Sequence, residues 1–220
     1  MDRQNSSSLI VYFRRIINFI PFVTSLTEYL GAVFPATLGK KYINVNLIWL
    51  KEEIRCHNFQ KGERIFFIGG GAIPYSALLI YSYTKFPVTT LDYRLTAVIL
   101  AKRFLKAIGK ENQVIYVNKS GEDFNDYENF DTVFIAAQVA NKKDILEKIL
   151  KTTVKTRVFI RDMGRNEFYK KCQLTKEMIE ELRQKYRFYV KKVKWPHLKT
   201  QTEWIIERVK SPEFDYACID

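Results

Sequence analysis

The chain has 220 residues, 47% of them hydrophobic, and its 36 basic and 24 acidic side chains give a formal net charge of +12. A chain of this length can bury a substantial core, either as one large domain or as a domain with an appendage. Its three cysteines are too widely separated for a disulfide framework or a CxxC metal motif, which favours a reducing, cytoplasmic location.

The positive charge admits a nucleic-acid partner, but acidic residues separate the short lysine groups, so a dispersed basic surface is favoured. Residues 9–34 are mostly apolar, yet polar residues and a proline interrupt them well short of about 18 continuous apolar residues, so we expect no membrane span. His57 and His197 lie far apart, and no nearby residue completes a metal-ligand pattern. We therefore expect no bound metal.

Residues 9–57 show helical periodicity broken by proline and glycine, which predicts a small N-terminal helical cap over residues 1–60. Residues 61–220 instead alternate short apolar runs with helical patterns, which is typical of βα units around a mostly parallel sheet. A helix with Thr175 as its N-cap and a terminal hairpin follow. The predicted strands are 64–68, 88–91, 113–117, 132–137, 157–161, 188–193 and 202–209, and the helices between them are 73–83, 95–108, 142–150 and 176–186.

This element order is typical of the class I transferases that use S-adenosylmethionine (SAM). We therefore predict an α/β fold with a Rossmann-like sheet of seven strands, the last of them antiparallel, and a small helical cap. No internal repeat or low-complexity linker divides the chain.

A glycine turn after the first predicted strand carries the main site motif. Gly69, Gly70 and Gly71 let a ligand approach the backbone, and the following helix N-terminus offers free amide groups. Asp92 stands 23 positions beyond Gly69, at the end of the second strand, where it can bind both ribose hydroxyls of a nucleoside. Pro74 breaks the dinucleotide pattern G-x-G-x-x-G, so SAM is the predicted cofactor rather than NAD.

Two segments beyond the third and fourth strands complete the predicted cofactor site. Ser120 and Gly121 follow the third strand, where adenine is usually held, although an ordinary turn explains them equally well. Ala137 and Gln138 follow the fourth strand, and the Asn/Asp-Pro-Pro-aromatic run of base-modifying methyltransferases is missing there. We assign Ala137 to the cofactor and Gln138 to the substrate.

Several short motifs across residues 45–210 resemble the nicotianamine synthase family. Residues 67–74 read FIGGGAIP and resemble its F-I-G-S-G-P-L-P turn, including Pro74. Residues 130–139, FDTVFIAAQV, are similar to its Y-D-V-V-F-L-A-A-L-V, and residues 158–165, VFIRDMGR, resemble its L-L-L-R-S-A-H-G. The departures, at Gln138 and at 162–163, lie where a substrate would sit.

The resemblance implies transfer of the 3-amino-3-carboxypropyl arm of SAM to an amine, with release of methylthioadenosine. The acceptor would be a small-molecule amine or amino acid, whose proton must be removed during the displacement. Tyr75 and Glu53 are the candidate catalytic residues, with Glu52 and Tyr42 considered beside them. A solvated helix face is the alternative for the glutamates, and packing under the cap is the alternative for Tyr75.

Arg161, at the end of the fifth strand, could bind a substrate carboxylate or form a structural ion pair with Asp162 or Glu203. Two other functions stay open. The chain could be a SAM-dependent methyltransferase acting on a small molecule or RNA, or a non-catalytic relative that keeps the fold. It could also act as a homodimer.

Overall fold

The protein is described here by a computed structural model covering residues 26–41, 44, 50–51, 53–55, 57–162, 171–194 and 202–208. Seven strands form one sheet: β1 (Ile65–Ile68), β2 (Val88–Leu91), β3 (Val114–Val117), β4 (Thr132–Ile135), β5 (Arg157–Asp162), β6 (Tyr189–Lys194) and β7 (Thr202–Glu207). The helices that follow β1, β2, β4 and β5 are, in that order, α1 (Tyr75–Thr84), α2 (Leu95–Ala107), α3 (Lys142–Thr152) and α4 (Lys176–Tyr186). Short helical turns occupy Pro35–Gly39 and Tyr127–Asn129.

The strand order is β3-β2-β1-β4-β5-β7-β6. Strands β1 to β5 are parallel, whereas β7 pairs antiparallel with both β5 and β6. The prediction of seven strands with an inserted antiparallel last strand is therefore confirmed. Strands β2 and β3 lie on one side of β1, and β4 and β5 lie on its other side, so the strand order reverses between β1 and β4. The carboxyl ends of the strands at such a switch point form a crevice that binds ligands.

The central strands β1 and β4 are buried along their whole length because helices cover the sheet from both sides. On one face Phe67, Phe134 and Phe159 pack with residues of α1 and α2. On the other face Phe66 and Ile135 pack with residues of α3 and α4. The described parts of the N-terminal region are helical at 26–33, 40–41, 44, 50–51 and 53–55.

Leu50 and Ile54, in the N-terminal region, share a core cluster with β1 residues. The division into a cap at 1–60 and a domain at 61–220 stays a prediction. Among the described residues, no helix combines the length and apolar character needed to cross a membrane.

The helix boundaries follow local signals. Helix α1 begins at Tyr75, two residues later than predicted, because Pro74 takes the N-cap position. Thr175 caps α4 as predicted, with its hydroxyl accepting a hydrogen bond from the Met178 amide at 3.3 Å. Gly109, at φ +65°, ends α2 in the left-handed conformation that glycine adopts without strain.

Candidate active site

The glycine turn is fixed against the end of the neighbouring strand β2. The amides of Gly69 and Gly70 donate to the Leu91 carbonyl at 2.8 and 3.1 Å. The Gly71 amide donates to Oδ2 of Asp92 at 2.9 Å. The structure therefore brings together the two parts of the motif, the turn and the acid, at the strand switch point.

The backbone and the surroundings of the turn both require glycine. Gly69 and Gly71 have φ values of +88° and +67°, which strain any residue with a Cβ. Gly70 has an ordinary φ, but a Cβ there would come within 2.1 Å of Thr90 Cγ2. Pro74 then closes the turn at the start of α1.

Asp92 is buried, and Arg94 binds its carboxylate. The Arg94 amide and Nε donate to Oδ1 at 3.0 and 3.1 Å, and Nη2 donates to Oδ2 at 3.1 Å. The hydrogen bonds from Arg94 to Asp92 raise the pKa of Arg94. Asp92 therefore lies buried at the end of β2 with Arg94 bound to both of its oxygens, and its role as the ribose acid stays a prediction.

A buried ion pair lies on the other side of the turn. Glu53 is 2% exposed, which contradicts the solvated-helix-face alternative, and its Oε1 accepts a hydrogen bond from Arg161 Nε at 2.6 Å. Arg161 Nη1 also donates to the Ser76 hydroxyl at 3.0 Å. The structural ion pair considered for Arg161 with Asp162 or Glu203 is therefore replaced by a pair with Glu53. Burial raises the pKa of Glu53 despite the attraction of Arg161.

Tyr75 adjoins this pair at the first position of α1. Its burial raises the pKa of the phenol, and Arg161 partly opposes that shift. The structure thus groups three predicted site residues, Glu53, Tyr75 and Arg161, beside the glycine turn. Glu52 and Tyr42 lie outside the described residues.

His57 and Glu203 extend the cluster. His57 Nε2 lies 2.8 Å from Glu203 Oε2, and both side chains are almost fully buried. Burial lowers the pKa of His57 to about 3, so its imidazole is neutral and donates to the carboxylate. Potential ligand atoms of Glu53, His57 and Glu203 lie within 4.8 Å of one another, so these residues could hold a cation. Arg161 already places a positive charge there, and the expectation of no metal stays a prediction.

Comparison with known proteins gives the family. Residues 35–188 match the model of the family described as "Nicotianamine synthase protein". The chain belongs to the nicotianamine synthase family.

Individual relatives agree with this membership. A Yersinia pestis protein named L-histidine 2-aminobutanoyltransferase is 28% identical over 101 residues, which are 46% of this chain and 37% of that protein. The chain thus matches little more than a third of that relative's length.

Solved structures of MtNAS are also similar. One of them is a glutamate-to-glutamine mutant in complex with S-adenosylmethionine, with a TM-score of 0.69 at 17% sequence identity. The matched region is 90% of this chain and 76% of the MtNAS chain. Another, in complex with MTA and tNA, has a TM-score of 0.67 at 15% identity, with coverages of 90% and 74%. At these identities, the structures establish a shared fold, which is that of SAM-dependent transferases.

The segment past β3 makes hydrogen bonds within its own turn. Ser120 donates to Asp123 at 2.6 Å, and the carbonyl of Gly121 accepts from Tyr127 at 2.7 Å. These contacts are those of an ordinary turn, and the adenine contact stays a prediction. Gln138 is exposed beyond β4, where its substrate role is also still a prediction.

A buried lysine at the start of α3 fixes the loop after β4. Lys142 Nζ donates to the Ala137 carbonyl at 2.7 Å and also to the Cys172 carbonyl. Burial lowers the pKa of Lys142 to about 8. Ala137, predicted to contact the cofactor, is held in place by this side chain.

Three contacts of the site were not predicted: that of His57 with Glu203, that of Arg94 with Asp92, and that of Glu28 with the glycine turn. Glu203 and His57 are 146 positions apart, so no local spacing joins them. Arg94 lies two residues after Asp92, where its pairing is local and could have been considered. Glu28 reaches the glycine turn from the N-terminal helical residues 26–33, and its Oε1 accepts hydrogen bonds from the amides of Ala72 and Ile73.

Proposed function

We propose that the protein transfers the 3-amino-3-carboxypropyl group of SAM to an amine of a small acceptor and releases methylthioadenosine. The observation that carries this proposal is the buried Glu53–Arg161 pair with Tyr75, set against the glycine turn of a nicotianamine synthase family member. SAM is a substrate in this reaction. Asp92 is the proposed acceptor for the ribose hydroxyls, which would replace hydrogen bonds that Arg94 now donates to this carboxylate, while the Gly71 amide keeps its bond to Oδ2.

Glu53 is the proposed base. In the displacement, the amine lone pair forms a bond to the arm carbon, and the bond from that carbon to sulfur breaks toward sulfur. The leaving group is therefore the neutral thioether methylthioadenosine, and the amine proton must be accepted by the protein. The raised pKa of Glu53 strengthens its carboxylate as that acceptor. Arg161 holds Oε1, while Oε2 accepts no hydrogen bond from the described residues.

Tyr75 is proposed to donate a hydrogen bond to the substrate. Because burial raises the pKa of its phenol, the hydroxyl stays protonated at neutral pH. Its place at the start of α1 lies next to the glycine turn. A donor there can orient the amine or the carboxylate of the arm without exchanging a proton.

The acceptor is proposed to be an amino acid. Arg161 is 7% exposed, and its Nη2 contacts no hydrogen-bond acceptor among the described residues. A buried guanidinium nitrogen of this kind is suited to a carboxylate oxygen. The Yersinia pestis relative is named for a histidine acceptor, which supports the same class of acceptor here.

Product analysis tests the reaction. The protein is incubated with SAM and a panel of free amino acids, and the nucleoside products are separated by liquid chromatography. Methylthioadenosine is expected, whereas S-adenosylhomocysteine would overturn the proposal and favour a methyltransferase. Glu53→Gln should lower kcat by about 100-fold or more, as loss of a general base does, while exposed Glu111→Gln serves as the control.

The RNA-methyltransferase alternative has a separate signature. An RNA substrate would bind less tightly as salt rises from about 50 to about 200 mM, because each phosphate contact releases counterions. We expect no such dependence. A cytoplasmic location and a homodimer stay predictions.

A further inference from the structure

The carboxylate of Glu28 lies inside the glycine turn. Its Oε1 accepts hydrogen bonds from the amides of Ala72 at 2.5 Å and Ile73 at 3.2 Å. A Cβ on Gly71 would come within 2.0 Å of the same oxygen, so the carboxylate rests directly on the turn. These amides precede the first turn of α1, where free N–H groups and the helix dipole attract negative charge.

The segment that carries Glu28 is itself docked beside the turn. A Cβ added to Gly31, three residues further on, would lie 2.7 Å from Ile73 Cδ1. The hydroxyl of Tyr29 lies 3.3 Å from that of Thr96 on α2. Glu28 precedes the stretch 35–188 that matches the family model, so the family match assigns it no role.

Glu28 differs from the other two acids of the site in its partners. Asp92 is paired with Arg94, and Glu53 is paired with Arg161. Glu28, among the described residues, forms no ion pair, and Oε2 accepts no hydrogen bond from them. Burial raises the pKa of Glu28, so a positive charge placed against it would stabilise the carboxylate.

We propose that Glu28 is a positioning residue that binds the ammonium group of the aminocarboxypropyl arm of SAM. This inference rests on the proposed function. The arm ends in one ammonium and one carboxylate, and Glu28 already occupies the amides that would otherwise receive the carboxylate. The ammonium of the arm therefore binds Glu28 at the turn, and this contact holds the arm carbons in line with the acceptor amine.

Three ligands test the proposal: SAM, S-adenosylhomocysteine, which keeps the arm but has no sulfonium charge, and methylthioadenosine, which has neither the arm nor that charge. Calorimetric titration of the whole chain is compared for the wild type, Glu28→Gln and the exposed control Glu128→Gln. Glutamine keeps an oxygen for the Ala72 and Ile73 amides but loses the charge. Glu28→Gln should weaken the binding of both SAM and S-adenosylhomocysteine by about 10- to 100-fold, as loss of a charge-assisted hydrogen bond does, and leave methylthioadenosine binding unchanged.

Equal weakening for all three ligands would overturn the inference, because Glu28 would then only support the turn. Weakening for SAM alone would also overturn it, because Glu28 would then act on the sulfonium charge and not on the ammonium. Tighter SAM binding by Glu28→Gln would also overturn it, since Glu28 would then be a plug that SAM displaces. If Glu28→Gln fails to fold, Glu28→Asp gives the same comparison, because it withdraws the carboxylate by one methylene. These titrations do not depend on which carbon reacts, so a protein that selects SAM through Glu28 but forms S-adenosylhomocysteine would refute only the proposed reaction.

Discussion

Removal of Arg161 should destabilise the fold strongly, because Glu53 would be left as an unpaired buried charge. The side chains of the pair are 9% and 2% exposed, and their Nε and Oε1 atoms lie 2.6 Å apart. Breaking a buried pair of this kind costs about 3–5 kcal/mol. Arg161→Met should therefore lower the free energy of unfolding by about that amount at pH 8.

The loss should also depend on pH in a defined direction. Burial raises the pKa of Glu53 even in the wild type, and removal of the guanidinium would raise it further. A group with a raised folded-state pKa stabilises the fold at low pH, and this stabilisation is lost as pH rises through that pKa. Arg161→Met should therefore be destabilised less at pH 5 than at pH 8.

Urea unfolding followed by circular dichroism at both pH values measures these differences. Replacing both residues, in Glu53→Gln/Arg161→Met, should recover part of the loss because no charge remains buried. The exposed Arg183–Glu180 pair is the control, and Arg183→Ala should cost less than about 1 kcal/mol. A wild-type free energy of unfolding for Arg161→Met at pH 8 would refute the reasoning.

Three further comparisons have defined outcomes in the same unfolding assay. Gly62 has φ +83° and open space around its Cα, so Gly62→Ala should lower the free energy of unfolding by about 1–2 kcal/mol. Gly69→Ala should lower it further, because the new Cβ would lie 2.6 Å from a Val139 methyl. Equal losses for the two variants would contradict this expectation. Thr175→Ala should cost about 1 kcal/mol through loss of the α4 cap, whereas Thr175→Ser should be near wild type. Because burial lowers the pKa of Lys142 to about 8, the wild-type free energy of unfolding should gain from this group as pH rises above 8. Lys142→Met should lack that gain. The same pH profile for the variant and the wild type would contradict this expectation.

Local patterns were sufficient to predict most of the sheet. The apolar runs at 64–68, 88–91 and 157–161 became β1, β2 and β5 within a residue or two at each end, because strands covered on both faces read as continuous apolar runs. Thr175 and Gly109 mark helix ends by interactions with their immediate neighbours, which is why both could be identified from the sequence. The strand predicted at 132–137 ends earlier, at Ile135, where the loop held by Lys142 begins.

The electrostatic partners of the site could not be obtained in the same way. Glu53 meets Arg161 across 108 positions, and His57 meets Glu203 across 146, so sequence spacing carries no signal of either contact. One signal was nevertheless present, because Glu203 precedes the apolar run Trp204-Ile205-Ile206 of β7. A charge in such a strand needs a buried partner, and that requirement marks it as a candidate for a site.

The choice between arm transfer and methyl transfer tests the central claim most directly. SAM carrying one isotope in the methyl group and another in the aminocarboxypropyl arm is incubated with the protein and an amino-acid acceptor, and the products are analysed by mass spectrometry. The arm label should appear in the acceptor while the methyl label stays in methylthioadenosine. A methyl label in the acceptor, with the arm label retained in S-adenosylhomocysteine, would contradict the account.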